Sequence, residues 1–268
     1  MNSTQSRHIA FAGLFIVVTV TMLLNISIVA TVSNETKQMF DYLDSLPESS
    51  TIIVSFDHEA SSLPEMKPLG LVILRHLFAK DHKLIGVALL AEGTGVGYRL
   101  MQETAKEHNK EYGRDYVFLG FKPQFIAAIL SMGESIEGTF PEDYLGNATS
   151  EIELLSDVHN YDDVAAVVSL ADGSLTTHWI EYGNEKYGVQ VSAAVAASML
   201  TTYDPYISSG QLKAMVGGLR GAAEYENLLG IGGSGARSML AQSSAHLYII
   251  LLIIVGNVIY FRSRKKDS

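Results

Sequence analysis

The stretch TIIVSF, from Thr51 to Phe56, decides the fold class of this chain. It is a β-branched, apolar run between polar residues, and this pattern predicts a buried strand. Shortly after it, SLPE from Ser62 to Glu65 has the spacing of a capping box with a proline in the first turn, which predicts the start of a helix. An apolar strand that leads into a helix is typical of an α/β protein with a parallel sheet.

The alternation of strand and helix continues along the chain. Further strands are predicted at Leu84–Leu90, Tyr116–Gly120, Val164–Leu170 and Val189–Ala196, and helices at 35–46, Val96–Tyr112, Gln124–Met132, Leu175–Tyr187 and Gly210–Leu229. The pattern indicates a mostly parallel, doubly wound sheet of about five strands with helices on both faces. Residues 133–160 are irregular and contain several glycines, and we expect them to cover one edge of the domain.

Two apolar runs flank the α/β region and predict a transmembrane helix at each end. Residues 9–32 form a run of 24 without a charge, enough for a helix of roughly 36 Å. A cleaved signal peptide is the alternative, but its apolar region is only about 7–15 residues long. The predicted organisation is a transmembrane helix at 9–32, a stalk helix and linker at 33–50, the α/β domain at 51–229, a flexible linker at 230–240, a transmembrane helix at 241–261 and a basic tail at 262–268.

The charges predict the orientation and exclude some partners. Four cations in the C-terminal tail, together with Arg7, place both termini in the cytoplasm and the α/β domain outside it, with the lipid bilayer as its first partner. Residues 33–245 carry 14 Lys and Arg against 28 Asp and Glu, a net charge of −14, so nucleic acid is a poor partner. The chain has no cysteine, which excludes disulfides, thiol nucleophiles and thiolate metal sites.

Polar side chains at the ends of the predicted strands form the candidate ligand site. In an open parallel sheet, ligands bind outside the carboxyl ends of the strands. The residues found there are Asp57, His58, Glu59, Glu92, Lys122, Asp172, Thr201, Thr202 and Tyr203. They offer carboxylates for a hard cation or for acid–base chemistry, an imidazole, and an ammonium for an anion. The alternative is that they are ordinary solvated loop residues, which any α/β protein has at its strand ends.

A glycine-rich stretch, Glu92–Gly97, lies between a predicted strand and a predicted helix. Its backbone N–H groups could cradle an anion, or its glycines could supply positive φ angles in a tight turn. A dinucleotide fingerprint would require a third glycine where Tyr98 stands. The chain also contains no GxxxxGK[ST], HExxH or GxSxG motif. The sequence therefore indicates no particular cofactor.

Small residues recur near the end of the α/β region, where another backbone could pack closely. They are Ala214, Gly217, Gly218, Gly221 and Ala222. We expect them to pack against another helix of the domain or against another subunit. The segment from Gly230 to Gly235 follows, and its composition is typical of a flexible tether.

Several motifs resemble those of a family of hypothetical prokaryotic membrane proteins with a transmembrane helix at each end. The motifs are Val54–Asp57, Asp115–Pro123, Asn160–Asp163, Gly217–Glu226 and Ala241–His246. The resemblance covers nearly the whole chain. It implies the two-helix architecture, and it implies no activity because none is assigned to that family.

Two classes of function fit these features. The first is a noncatalytic, membrane-anchored extracytoplasmic module that binds a small ligand or a partner protein, as a subunit of a membrane complex or as a homo-oligomer. The second is a metal-assisted hydrolase or transferase in which Asp57, Glu92 and Asp172 surround a divalent cation. The absence of a nucleophile or metal motif favours the first.

Overall fold

A computed structural model describes residues 3–24 and 31–264 of the chain. The strands are β1 Thr51–Asp57, β2 Lys83–Ala88, β3 Tyr116–Phe121, β4 Ala166–Ala171, β5 Val191–Val195 and β6 Met215–Gly217. The helices are α1 Ser3–Leu23, α2 Asn34–Asp44, α3 Leu63–Ala79, α4 Ala91–Glu107, α5 Phe125–Glu134, α6 Ile136–Thr139, α7 Leu175–His178, α8 Glu185–Tyr187, α9 Leu200–Ser209, α10 Gly218–Leu229 and α11 Ser234–Arg264. A π-helical turn, Trp179–Asn184, joins α7 to α8.

The six strands form one sheet in the order β3-β2-β1-β4-β5-β6, and all neighbours pair in parallel. This confirms the predicted fold class, with one strand more than expected. The order reverses between β1 and β4, where the chain first builds outward on one side and then on the other. Ligands of doubly wound sheets commonly bind at such a switch point.

Buried side chains cover both faces of the sheet. One layer contains Leu69 and Leu77 of α3, Met101 of α4 and Tyr225 of α10. The opposite layer contains Ile129 of α5, Trp179 of the π-helical turn and Tyr203 of α9. Because both faces are covered, the strands are apolar along most of their length, which is why periodicity located the first five.

The predicted helix at Gly210–Leu229 is wrong in its first part. Met215–Gly217 pair with β5 as the edge strand β6, and α10 begins only at Gly218. A strand of three residues is too short to show an alternating pattern. The chain turns from β6 into α10 at Gly218 with a φ of 71°, a conformation that glycine adopts without steric cost. Ala214 and Gly217 therefore precede the helix.

The glycine-rich stretch Glu92–Gly97 is not a turn, because it lies inside α4, which begins at Ala91. None of its glycines has a positive φ angle, and two of them, Gly93 and Gly97, serve close packing instead. A Cβ atom at Gly93 would lie 2.1 Å from the carbonyl oxygen of Phe56, and one at Gly97 would lie 2.6 Å from the Phe56 ring. The helix therefore packs directly against β1, and the predicted tight turn is absent.

Residues 133–160 cover the edge of the sheet formed by β3, as the sequence predicts. The backbone N–H of Tyr144 donates a hydrogen bond of 2.9 Å to the carbonyl oxygen of Phe118 in β3. The two rings also meet edge to face, with centroids 5.5 Å apart. This contact satisfies part of an edge strand that would otherwise be open to pairing.

The predicted flexible linker at 230–240 is wrong from Ser234 onward, because α11 begins there. The carboxylate of Glu226 accepts hydrogen bonds from the backbone N–H groups of Gly235 at 2.7 Å and Ala236 at 2.9 Å. These are free N–H groups of the first helical turn, and a carboxylate placed there stabilises the helix. A Cβ at Gly235 would lie 2.9 Å from the Cβ of Ala222. The glycines thus permit close packing, which a composition rule reads as flexibility.

Two helices are long and apolar enough to cross a membrane, Thr4–Leu23 and Ser234–Arg262. They pack antiparallel. The Tyr248 hydroxyl donates to the carbonyl oxygen of Ala10 at 3.2 Å, whereas Met22 shares a cavity with Ala241. Residues 25–30 of the first predicted span and 265–268 of the basic tail lie outside the described residues.

Candidate functional site

The switch point between β1 and β4 brings four of the predicted site residues together. The loop after β1 is held by two carboxylates. Asp172 accepts a hydrogen bond of 2.9 Å from the backbone N–H of Glu59, and Glu92 accepts one of 2.7 Å from Ala60. Asp57 and His58 lie directly before this loop. The two carboxylates therefore hold the loop in place. These hydrogen bonds occupy acceptor oxygens that a ligand would otherwise bind.

Asp57 lies beneath this crevice, only 1% exposed. Its Oδ1 accepts from the Ser55 hydroxyl at 2.7 Å and from the Leu89 N–H at 3.2 Å. Its Oδ2 accepts from the Trp179 indole at 3.0 Å and from the Ser169 hydroxyl at 3.3 Å. Burial raises the pKa of Asp57 to about 6, although the hydrogen bonds act in the opposite direction. This carboxyl group joins β1 to β4 and to the turn at Trp179.

His58 is buried beside the crevice, and burial lowers the pKa of its imidazole. Its Nδ1 lies 3.3 Å from the carbonyl oxygen of Glu59, to which it can donate. The ring is therefore neutral at neutral pH and supports the loop that Asp172 and Glu92 hold.

The other predicted site residues do not join this group. The Lys122 ammonium donates to the carbonyl oxygen of Thr139 in α6 and lies 5.5 Å from the centre of the Phe140 ring. Thr201 is exposed on α9. Tyr203 is buried, and its hydroxyl donates a hydrogen bond of 2.7 Å to the carbonyl oxygen of Gly173. The predicted ring of strand-end residues is thus several separate features.

The metal-assisted alternative needs Asp57, Glu92 and Asp172 around one cation. Both oxygens of Asp57 already accept hydrogen bonds inside the core, and the other two carboxylates accept from backbone N–H groups. Within residues 3–24 and 31–264, no three His, Asp or Glu side chains are grouped as metal ligands. The arrangement therefore offers no ligand set for this chemistry in the described part of the chain.

A polar cavity that the sequence analysis missed lies at the carboxyl ends of β5 and β6. Its volume is about 410 Å³, and it is lined by Ser33, Glu65, Ala197, Gly218, Arg220 and Glu224, among others. Gln242 of α11 closes one side. Pockets of this size hold small molecules in other proteins. The residues come from distant parts of the sequence, and the only signal was the run of small residues from Gly217 to Ala222.

Glu224 fixes one wall of this cavity. Its Oε2 accepts from the backbone N–H and the hydroxyl of Ser33 and from the Thr36 hydroxyl at 2.7 Å, and its Oε1 accepts from the Arg220 guanidinium at 2.7 Å. Burial alone would raise the pKa of Glu224, but these hydrogen bonds outweigh it and lower the pKa. Glu224 is therefore an ionised, fully bonded wall residue.

A second wall depends on the close approach of three backbones. The Glu65 carboxylate accepts a hydrogen bond of 2.8 Å from the Ala197 N–H, which joins the start of α3 to the end of β5. A Cβ at Gly218 would lie 2.9 Å from the Cβ of Ala197 and 3.1 Å from Oε1 of Glu65. Glycine at position 218 thus keeps this corner open and accommodates the positive φ.

An apolar cavity of about 500 Å³ adjoins the polar one. Leu219 and Gln242 line both cavities. The rest of its wall includes Met22 at the end of α1, Leu63 and Pro64 at the start of α3, and Ser238 and Ala241 of α11. The combined space is therefore polar toward the domain and apolar toward the two long helices.

Helix α10 connects this space to α2, which follows α1 in the chain, and to the long helix α11. Glu224 binds Ser33 and Thr36 at the start of α2, just beyond the segment that leaves α1. Glu226, two residues further on, caps the first turn of α11. Ala222, one turn or less before these glutamates, packs on Gly235, so this part of the small-residue run packs within the chain. Two buried glutamates thus fasten the chain near both apolar helices to one element of the domain.

The fold and its flanking helices define the class of this protein, a Rossmann-like α/β domain between two apolar helices of membrane-spanning length. No family model matches the chain, and no curated protein does. A solved structure, the C-terminal domain of a glycosyl transferase group 1 family protein (LpcC) from Francisella tularensis, is 13% identical over 83% of this chain and 94% of that one, with a TM-score of 0.33. A likeness this weak supports no inference about activity or ligand.

Proposed function

We propose that this protein is a membrane-anchored module that binds a small ligand in the polar cavity beneath α11. The observation that supports it best is the position of the cavity, between the carboxyl ends of β5 and β6 and the start of a helix that can cross the membrane. The carboxyl edge is where open parallel sheets bind ligands. The crevice at the switch point is a weaker candidate because its carboxylates already accept hydrogen bonds from its own loop.

The topology we propose follows from the charges and the helix pair. The two long helices pack antiparallel, which supports both termini lying on one side of the membrane. The cations at the C-terminal end favour the cytoplasm as that side. The domain is then extracytoplasmic, in keeping with its acidic surface. Pairing between Gly13 and Tyr248 also supports retention of α1 as an anchor, since a Cβ at Gly13 would overlap the Tyr248 hydroxyl at 2.0 Å.

A role within a membrane complex or homo-oligomer is part of the same proposal. Most large apolar side chains of α1 and α11 are exposed, including Phe15, Ile253 and Phe261. In a membrane, such apolar surfaces contact lipid tails or the helices of a partner protein. The small residues of α10 do not supply that surface, because Ala222 packs on Gly235 of the same chain.

Native mass spectrometry of the full chain tests the ligand-binding proposal. Purified from its own cells in mild detergent, the protein should retain a small molecule at one per chain. Leu219→Trp fills the wall shared by the two cavities and should remove it. Leu145→Trp is the matched control, because Leu145 is 51% exposed on the edge cover, far along the chain from either cavity.

Two results would contradict this proposal. One is a wild-type protein that retains no molecule in any of several mild detergents. The other is a molecule that survives Leu219→Trp while the variant keeps the thermal unfolding temperature of the wild type.

A further inference from the structure

The two adjoining cavities lie at the depth of lipid headgroups in the proposed membrane orientation. The apolar segment of α11 begins at Ala245 and is interrupted only by His246 and Asn257. Gln242, which lines both cavities, precedes it by three residues, or about 4.5 Å along the helix. The headgroup layer on each side of a bilayer is roughly 5–8 Å thick. Met22, near the end of α1, lines the same apolar cavity as Ala241. The mouth of the space therefore meets the surface of the bilayer.

The lining of the space has two chemically different halves. The apolar half, with Met22, Leu63 and Ala241, matches a hydrocarbon chain. The polar half contains the carboxylates of Glu35, Glu65, Asp204 and Glu224. A water-soluble metabolite would leave the apolar half unused, whereas an amphiphile would fill both halves.

The charged side chains that line the space limit which lipid headgroups can bind there. Arg220 is paired with Glu224, so the polar half presents an excess of negative charge from Glu35, Glu65 and Asp204. A cationic group is favoured there, and a lone phosphate is disfavoured. Lys67 lines the apolar half and is exposed, so it can meet a phosphate between headgroup and chain.

We infer that the ligand is a zwitterionic aminophospholipid of the surrounding bilayer, with its ammonium group among the carboxylates of the polar cavity and one acyl chain in the apolar cavity. This inference rests on the proposed ligand-binding function and assigns its ligand class. The phosphate lies near Lys67, and the chain passes Met22 into the membrane. Neighbouring α10 binds the start of α2 through Glu224 and the start of α11 through Glu226, so the bound lipid lies beside the joint between the domain and its anchors.

The test uses the full chain in nanodiscs that contain equal amounts of phosphatidylethanolamine and phosphatidylglycerol. After release into detergent, native mass spectrometry counts each lipid that the protein retains. We expect about fivefold more phosphatidylethanolamine than phosphatidylglycerol, a difference of about 1 kcal/mol. Glu65→Gln keeps an acceptor for the Ala197 N–H but removes a charge, and it should reduce this preference. Equal retention of the two lipids, or more phosphatidylglycerol, would overturn the inference.

A pair of tryptophan variants locates the lipid. Ser238→Trp fills the apolar cavity and should abolish retention. Ser243→Trp makes the same change on an exposed position of the same helix and should leave retention unchanged. Retention that survives Ser238→Trp, in a variant that unfolds at the wild-type temperature, would place the lipid elsewhere and overturn the inference.

The outcomes separate this inference from the proposed function. A water-soluble molecule that Leu219→Trp removes, with no selective lipid retention, would support ligand binding and overturn the lipid class. A dimer that Ser238→Trp dissociates, with no retained lipid, would show that a second copy occupies the apolar cavity and would likewise overturn the lipid class. Retention of neither a lipid nor a soluble molecule would contradict both proposals.

Discussion

The crevice between β1 and β4 and the cavity beyond β5 and β6 lie on the same edge of one sheet, yet they differ in how their polar groups are used. In the crevice, Asp172 and Glu92 accept from backbone N–H groups of the loop above them, and Asp57 accepts from four donors in the core. In the cavity, Glu224 is equally satisfied, but its partners stand around a space of about 410 Å³. Polar residues at a strand end therefore indicate a ligand site only where space remains beside them.

The largest effect should come from removing the carboxyl group of the crevice. Asp57→Leu would leave the Trp179 indole and the Leu89 N–H buried without an acceptor. Each such loss costs about 1–3 kcal/mol, so we expect a loss of about 3 kcal/mol in the free energy of unfolding. Thermal unfolding of the full chain in detergent measures it, with Asp172→Leu as the half-buried control at about 1 kcal/mol. Equal effects of the two substitutions would contradict a structural role for Asp57.

Alanine substitutions at two glycines test how closely the backbones pack at the corner of the polar cavity formed by Gly218, Ala197 and Glu65. Gly218 and Gly210 both have positive φ angles, of 71° and 79°. A Cβ at Gly218 meets Ala197 at 2.9 Å, whereas one at Gly210 meets open space. Gly210→Ala should cost about 1 kcal/mol and Gly218→Ala about 2 kcal/mol. If both variants unfold at the same temperature, the corner can relax and the described contact does not constrain it.

The cap that Glu226 forms on the first turn of α11 should contribute less to stability, and only where α10 meets α11. Glu226→Gln removes the charge and one of the two acceptor oxygens, so one N–H group of the first turn loses its acceptor, and we expect a local loss of about 1.4 kcal/mol. That corresponds to about tenfold faster hydrogen exchange at the amides of Gly235 and Ala236. Glu35→Gln, an exposed carboxylate on α2, is the control and should leave this exchange unchanged. Unaltered exchange in Glu226→Gln would mean that the joint does not depend on the ionised cap.

The smallest effect is a pH dependence in the crevice. The folded pKa of Asp57, about 6, exceeds the ordinary aspartate pKa of 3.8, so the native state binds more protons than the unfolded state between these values. Wild-type stability should therefore rise relative to Asp57→Asn as the pH falls, by about 0.8 kcal/mol between pH 7 and 5.5. Burial lowers the pKa of His58, so that residue destabilises both proteins as the pH falls below about 6.5, and it cancels in the difference. A difference that is flat across this window would contradict the raised pKa.

Periodicity and capping located the elements whose signals are local. β1 and the start of α3 follow from a six-residue run with four apolar side chains and from one capping spacing, and both lie close to where we predict them. β6 escaped prediction because three residues carry no alternation. Gly93, Gly97 and Gly235 were misread for one reason, since glycine composition does not distinguish a flexible backbone from one that must pack closely.

The cavity could not be predicted because its walls are set by tertiary contacts. Ser33 and Glu224 are separated by 191 positions, and Glu65 and Ala197 by 132. No spacing rule joins such pairs. Asp57 and Asp172 could be placed at the same edge of the sheet because each follows a predicted parallel strand, but the sequence showed neither the strand order nor whether their oxygens were free. The sequence thus locates the carboxyl edge of the sheet as the place for a ligand. Tertiary packing decides where along this edge a cavity remains.

The capped start of α11 sets the angular position of the domain on its anchor. An α-helix advances by about 100° and 1.5 Å per residue, so a single residue inserted between Ala236 and Ala245 would swing the domain by more than a quarter turn about the axis of α11. The contact of Tyr248 with Ala10 would then be out of phase with the bonds that Glu224 makes to Ser33. Only insertions near whole numbers of turns, such as seven residues, would keep both in phase. Relatives built on this joint should vary in loop length elsewhere while keeping the length of this segment constant.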